Sequence, residues 1–310
     1  MRHHACKLTS LTALLALAAV AAPASATEGA SGMYLLGGQT LDAGLSPPPG
    51  WYLAMAASQY NGSVGGTIQG GLRVAELRKK SDGLTTFLIF APKPRILGGQ
   101  LVLSVGMPYA YLRLTGEIDG PNGVRKAAVS GSGKGDTVMV ARLGWQSATF
   151  SHAVSLTAWA PTGDYQKGFT PSIGHNRWAG DVMWAFTYAP GNHRTEFSGA
   201  IGYDFNGPNT LTHYRSGNEA HLELGLGRRL TPHLELGLGA YAYRQVTADS
   251  GAGATLGALK GRVYGAGPAV NYSLQVGGHG LVFLGRYFKE FDAERHFQGN
   301  LALISATLSL

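Results

Sequence analysis

The sequence predicts an all-β protein that crosses a membrane as an antiparallel up-and-down β-barrel of about 12 strands. Three observations lead to this fold. Apolar and polar residues alternate through segments of roughly ten residues, the length that a tilted membrane strand needs. The connections between these segments alternate between short and long. Charged residues are only 14% of the chain, against about a quarter in ordinary proteins, and 46 of 310 residues are glycine, so much of the surface is expected not to face water.

Residues 1–26 have the features of a secretory signal peptide. Arg2 and Lys7 give a basic start, an apolar run follows from residue 11 to residue 22, and residues 24–26 are small, as at a cleavage site. The single cysteine, Cys6, lies within this peptide, so the mature chain is expected to contain no disulfide. The net charge of +7 comes from scattered basic residues. Such scattering argues against nucleic-acid binding.

Residues 27–49 follow as an irregular segment rich in glycine and proline. Its three consecutive prolines, Pro47–Pro49, cannot occupy a central strand. A stiff proline triplet at the entrance of a barrel predicts that residues 27–46 are held in the lumen as a plug. The barrel itself is expected over residues 50–310.

The strand segments begin after the prolines and continue to the end of the chain. In each of them the side chains follow the period of two that a β-strand requires. In chain order, the predicted strands are 51–60, 85–91, 100–114, 136–145, 150–160, 179–189, 194–205, 219–227, 234–246, 262–272, 281–291 and 301–310.

The connections divide into two classes that take turns along the chain. The short ones are 92–99, 146–149, 190–193, 228–233 and 273–280, and the long polar ones are 61–83, 115–135, 161–178, 206–218, 247–261 and 292–300. An even strand number with this alternation is typical of bacterial outer-membrane barrels and predicts that both termini are periplasmic. A soluble β-sandwich, the alternative, does not require such regularity.

The heptapeptide HLELGLG occurs twice, starting at residues 221 and 233. In each copy the three leucines share one parity, so they form one apolar face that is expected to meet lipid. We expect the copies to form a hairpin that pairs Leu226 with Leu234, which sets Glu223 opposite Gly237.

The opposite parity supplies the polar and aromatic groups expected inside the barrel. These groups either line a path for small solutes or brace the interior with opposing charges that carry no selectivity. The predicted lumen-lining residues are Glu196, Asp204, His221, Glu223, Glu235, Tyr241, Tyr243, Arg142, Asp181, Arg286 and Glu290.

The sequence contains no motif that indicates catalysis, a cofactor or a metal. The run GSGKGDT at 131–137 lacks the spacing of a phosphate-binding loop, and the histidines of the mature chain are dispersed. Ser151 and His152 are neighbours on a predicted strand, where they point to opposite faces and cannot form one hydrolytic site. We therefore expect no enzymatic activity, no cofactor and no metal.

Several stretches resemble a known family. They are PPPGWYL, APTGDY, GHNRWAGDVMWAFTY, FSGAIGYDFNG with the following YRSGNEAHLELGLG, and YRQVTADSGAGATLGALKGRVYGAGPAVNY. They are similar to the outer-membrane proteins named after the meta-pathway of phenol degradation, also called SphA-like transporters. The resemblance runs over nearly the whole mature chain and implies an outer-membrane barrel associated with uptake of aromatic or other hydrophobic compounds. One departure is Leu310, because strands of this kind usually end in phenylalanine.

Together these features predict a monomeric outer-membrane channel for passive uptake of small hydrophobic or aromatic compounds, such as the substrates of phenol catabolism. Its expected partners are outer-membrane lipid, the solute and the barrel-assembly machinery, and not nucleic acid. The alternatives are a general porin for small hydrophilic solutes, a barrel-embedded lipid or ester hydrolase, and a structural or adhesive barrel.

Overall fold

The computed structural model describes residues 32–69, 72–120, 123–167, 171–191, 194–255 and 258–310. The predicted signal peptide and residues 27–31 of the predicted plug lie outside these ranges. Within them, no helix is long and apolar enough to span a membrane.

Twelve antiparallel strands form a closed barrel, which confirms the predicted fold class. The last strand pairs with the first, with Tyr52 opposite Ser309 and Gly62 opposite Gly299. The strands are β1 Gly50–Gln69, β2 Leu72–Ala91, β3 Gly99–Gly120, β4 in two segments Gly123–Lys134 and Thr137–Gln146, β5 Phe150–Ala160, β6 Ala179–Tyr188, β7 Thr195–Asn206, β8 Glu219–Arg229, β9 Leu234–Gln245, β10 Arg262–Val276, β11 His279–Glu294 and β12 Gln298–Ser309. Closure satisfies the backbone groups that an open edge would expose to lipid.

The strands bury one parity and expose the other, as β8 illustrates. Leu222, Leu224 and Leu226 are 39%, 37% and 54% exposed, whereas Glu223, between them, is 0% exposed. This inversion of the usual rule is what a barrel in lipid requires, because its outer surface faces hydrocarbon and its inner surface holds the polar groups.

The register predicted for the β8–β9 hairpin is wrong by four residues. Leu226 lies opposite Leu238, not Leu234, and Glu223 lies opposite Tyr241, not Gly237. The strands continue to Arg229 and the turn falls at 230–233, because the Leu230 amide donates to the Leu234 carbonyl at 2.9 Å and the Thr231 hydroxyl accepts from the Leu234 amide, also at 2.9 Å. A shift by an even number of residues preserves parity, so the leucines still share one face.

Two connections predicted to be long polar loops are strand instead. Residues 61–69 and 72–83 continue β1 and β2 as one hairpin, and residues 115–120 and 123–134 do the same for β3 and β4. Polarity misled the prediction, because strands pair through backbone hydrogen bonds, which polar side chains do not prevent. A third, 292–300, is reduced to residues 295–297 between β11 and β12. The described residues of the connections 161–178, 207–218 and 247–261 lie outside the barrel strands and make local pairings only.

Candidate functional site

The N-terminal segment, residues 32–49, runs along the inner face of the barrel and contacts strands on all sides of it. Its Gly44 amide donates to Thr187 on β6 at 2.9 Å, and its Leu45 carbonyl accepts from Arg142 on β4 at 3.1 Å. Thr40 Oγ1 accepts from Arg286 on β11 at 2.9 Å. Thr40 and Leu41, at 0% and 4% exposure, are enclosed by the wall. The segment therefore occupies space inside the barrel that solvent would otherwise fill.

Glycines in the wall make room for this segment. A Cβ at Gly225 on β8 would collide with the Thr40 carbonyl, and one at Gly237 on β9 would lie 3.1 Å from the Leu41 side chain. A Cβ at Gly44, in the segment itself, would collide with the Ser151 carbonyl on β5. Gly225, in the first copy of the repeated heptapeptide, is thus a place where two backbones approach closely, and Gly237, in the second copy, leaves room for the Leu41 side chain.

The structure places the predicted lumen-lining residues on the inner side of the wall. Arg142 is partly exposed and the other ten are buried. They fall into three groups. The arginine cluster contains Glu196, Glu235 and Arg286, the histidine cluster contains Asp181, Asp204 and His221 with Glu223 nearby, and the tyrosine pocket contains Tyr241, Tyr243 and Glu290. Arg142 belongs to none of these groups; its guanidinium donates hydrogen bonds to the Ala43 and Leu45 carbonyls of the N-terminal segment.

The arginine cluster joins the N-terminal segment to the wall near the short turns. Its additional members are Asp42 and Arg229, with Arg229 Nη2 3.1 Å from Asp42 Oδ1 and 3.7 Å from Glu196 Oε2. Arg229 Nε lies 3.8 Å from Glu235 Oε1. Three carboxylates therefore share one guanidinium, and the Asp42 amide also donates to Glu196 Oε1 at 2.8 Å. This geometry is that of a structural brace.

The histidine cluster is formed across three adjacent strands. Asp181 on β6 is directly opposite Asp204 on β7. The Nε2 atom of His221 on β8 lies 3.1 Å from Asp181 Oδ2 and 3.9 Å from Asp204 Oδ2. Tyr34 of the N-terminal segment stacks on the His221 ring, with 3.7 Å between ring centroids. Glu223, two residues after His221 and on the same face of β8, accepts a hydrogen bond from the backbone amide of Gln39 at 2.6 Å.

The tyrosine pocket is a cavity of about 170 Å³ near the long-connection end of the barrel. Glu290 on β11 binds two hydroxyls there, accepting from Tyr60 at 2.6 Å and from Tyr241 at 2.8 Å. Lys79 on β2 lies 5.7 Å from the Tyr60 ring centroid, within cation–π range. The remaining lining includes Leu36 of the N-terminal segment, Tyr243, His296, Phe297 and Leu301. Burial lowers the pKa of His296, in the β11–β12 loop, to about 4, so its imidazole is neutral at pH 7.

Sequence reasoning identified Tyr241, Tyr243 and Glu290 but missed the other eleven of the fourteen residues that line this pocket. Tyr34 and Leu36 lie in the irregular segment, and Lys79 lies in what the sequence predicts as a loop. Tyr60 lies at an even-numbered position, as do the other inward-facing residues of β1, so the alternation along that strand is the sequence signal by which Tyr60 could have been found. His296 and Phe297 are loop residues, for which parity gives no information.

The adjacent serine and histidine are separated by the wall of the barrel. Ser151 is buried at 5% exposure beneath the N-terminal segment. His152 stacks on Trp145, with 5.1 Å between ring centroids, on the outward side. The two side chains cannot reach one another.

Comparisons with known proteins agree with the barrel. A family model described as "Putative MetA-pathway of phenol degradation" matches residues 63–305. No curated protein sequence matches the chain. Among solved structures, the COG4313 outer membrane channel from Pseudomonas putida F1 is 15% identical with a TM-score of 0.65, over 88% of this chain and 98% of that one.

Two other structures are less similar. The beta domain of the Bordetella autotransporter BrkA is 14% identical with a TM-score of 0.45, over 84% of this chain and 100% of that one. A FadL homologue from Pseudomonas aeruginosa is 9% identical with a TM-score of 0.39, over 84% and 88%. At these identities the first likeness supports the barrel fold, and the other two carry no further argument.

Proposed function

We propose a transport function for this chain, which belongs to the family described by the MetA-pathway of phenol degradation model. That membership confirms the resemblance seen in the sequence, and the fold is that of bacterial outer-membrane barrels. The proposed function is passive uptake of small hydrophobic or aromatic compounds, with single-ring phenolic compounds as the substrate class.

The observation that carries this proposal is the tyrosine pocket. A cavity of about 170 Å³ is smaller than the roughly 300 Å³ at which drug-sized sites begin, so it suits one aromatic ring. Aromatic and aliphatic side chains provide its walls, while Glu290, Lys79 and the tyrosine hydroxyls provide polar partners for a phenolic hydroxyl. A site of this composition favours a ring that has one polar substituent.

The N-terminal segment supports the same proposal against a general porin. A porin passes hydrophilic solutes through a water-filled lumen. Here residues 32–46 contact the inner wall around its circumference and cover buried carboxylates such as Glu196 and Glu223. We propose that this segment is a plug, that the preceding residues 1–26 are a signal peptide, and that both termini are periplasmic.

A flux assay with paired tryptophan variants tests the function. The full chain is reconstituted in liposomes, and entry of phenol is compared with entry of glucose. Leu301→Trp fills the tyrosine pocket, since Leu301 is 6% exposed and lines it, whereas Ile304→Trp on the same strand faces lipid at 64% exposure. We expect Leu301→Trp to lower phenol flux at least tenfold and Ile304→Trp to leave it unchanged.

Two results count against the proposal. Fast glucose entry that is insensitive to Leu301→Trp indicates a general porin. Phenol flux that is equal in the two variants indicates that the pocket is not on the path.

A further inference from the structure

The histidine cluster lies in the barrel wall without a role in the proposed transport of aromatic solutes. Its three side chains come from neighbouring strands and are fully enclosed, with Asp181 2%, Asp204 1% and His221 2% exposed. Burying a charge is costly unless it is paired or bound to a metal. Two carboxylates directly opposite each other on paired strands also repel. A cation held between the carboxylates would offset both costs.

Several polar atoms of the cluster have no hydrogen-bond partner. Both carboxylate oxygens of Asp204 are buried without one, as are Asp181 Oδ1 and His221 Nδ1. Asp204 nevertheless points at the other two residues, because its Oδ2 is 3.9 Å from His221 Nε2. Unpartnered buried carboxylate oxygens directed at an imidazole nitrogen are an arrangement that a cation satisfies.

We propose that Asp181, Asp204 and His221 form a binding site for a divalent first-row transition-metal ion of the Zn²⁺ type. One ligand atom from each residue lies within 4.8 Å of the others. Zinc ligands at about 2.1 Å in a tetrahedral arrangement lie roughly 3.4 Å apart. The two distances from His221 Nε2, 3.1 and 3.9 Å, bracket that separation. One imidazole nitrogen with two carboxylates suits Zn²⁺ better than Mg²⁺ or Ca²⁺, which prefer oxygen alone.

The strand register and a glycine prepare this geometry. Gly202 on β7 lies directly opposite both Met183 on β6 and His221 on β8. A Cβ at Gly202 would collide with His221 Nε2 and lie 2.8 Å from Asp181 Oδ2. Because Gly202 has no side chain, the imidazole of His221 can occupy the space beside it and approach the carboxylates. Tyr34, stacked on the imidazole ring, restricts its orientation.

The arginine cluster provides an internal contrast. Asp42, Glu196 and Glu235 also bring three carboxylate ligand atoms within 4.8 Å of one another. There, however, Arg229 supplies the positive charge at 3.1 to 3.8 Å. The basic member of the histidine cluster is His221 itself. Metal binding is therefore expected at the histidine cluster and not at the arginine cluster.

A metal titration tests the site independently of transport. The full chain is folded in detergent, stripped with a chelator and titrated with Zn²⁺ in competition with a chromophoric chelator. We expect one Zn²⁺ per chain, and at least a tenfold loss of affinity in both Asp204→Asn and Gly202→Ala. Glu196→Gln, the matched control in the arginine cluster, is expected to bind as the wild type does. No binding by the wild type, unchanged binding by Asp204→Asn, or an equal loss in Glu196→Gln overturns the proposal.

X-ray absorption at the zinc edge of the wild-type protein provides a test that depends on no variant folding. The expected shell contains one imidazole nitrogen with oxygen ligands at about 2.0–2.2 Å. A shell that contains no imidazole overturns the assignment.

Discussion

Substitution of Gly225 by alanine tests whether the N-terminal segment acts as a plug. The added Cβ collides with the Thr40 carbonyl, so residues 39–41 must move away from β8. That movement breaks the hydrogen bond from the Gln39 amide to Glu223, 2.6 Å long, and the one from Arg286 to Thr40, 2.9 Å long. A hydrogen bond to a charged group contributes about 1.5–3 kcal/mol, so loss of both weakens attachment of the segment by roughly 3–6 kcal/mol.

The assay is conductance of single barrels in planar bilayers, with protease access to residues 32–46 as the second measurement. We expect higher conductance and faster cleavage in Gly225→Ala. Gly180→Ala is the control, because a Cβ there meets its nearest atom, the Thr157 carbonyl oxygen, at an ordinary 3.6 Å. Deletion of residues 28–46 is expected to give the largest conductance. If the deletion leaves conductance at the wild-type value, the segment is not a plug and the reasoning is refuted.

Three further predictions concern stability. Burial raises the pKa of Asp136, but hydrogen bonds from His175 and Gly163 outweigh it, so the pKa lies below the ordinary 3.8. The contribution of these bonds to attachment of loop 161–178 is therefore complete above about pH 4 and is lost at lower pH. Asp136→Asn is expected to weaken the attachment by about 1–3 kcal/mol, which limited proteolysis of the loop measures. Because burial lowers the pKa of His296 to about 4 from 6.5, the free energy of unfolding falls as pH drops between these values; an NMR titration of His296 at the ordinary pKa contradicts this. Leu238→Arg, on the outward face at 64% exposure, is expected to lower the free energy of unfolding by up to about 2–4 kcal/mol, against about 0–1 kcal/mol for Leu230→Arg in the turn. The measurement is reversible unfolding of the barrel reconstituted in lipid vesicles.

Strand parity predicted much of the barrel and failed in specific places. It separates the leucines of β8 from Glu223 because neighbouring side chains on a strand must face opposite sides. It cannot give the register, because pairings that differ by two or four residues keep the same faces. The hydrogen bonds of the turn at 230–233 decide between those pairings. Polar composition gave the wrong prediction at 61–83 and 115–135, because strand pairing there is made by backbone hydrogen bonds that do not require apolar side chains.

The histidine cluster shows why a site of this kind escapes sequence analysis. Asp181, Asp204 and His221 lie 23 and 17 positions apart, with no metal-binding spacing between them. They meet because β6, β7 and β8 are adjacent and their register aligns Asp181 with Asp204 and Gly202 with His221. The prediction that the chain binds no metal followed from spacing along the chain, which does not report neighbours across a sheet.

The amino-acid sequence alone predicted a membrane barrel of about twelve strands, separated the parity that faces outward from the parity that faces the lumen, and showed a resemblance to the family. These properties are local, since a period of two and a strand length matched to the bilayer are readable residue by residue. The tertiary structure decided the register, the extent of the hairpins, the path of residues 32–49 inside the barrel, and which buried groups meet in the tyrosine pocket and the histidine cluster. Those properties depend on closure of the barrel, which brings side chains from distant parts of the chain to hydrogen-bonding distance.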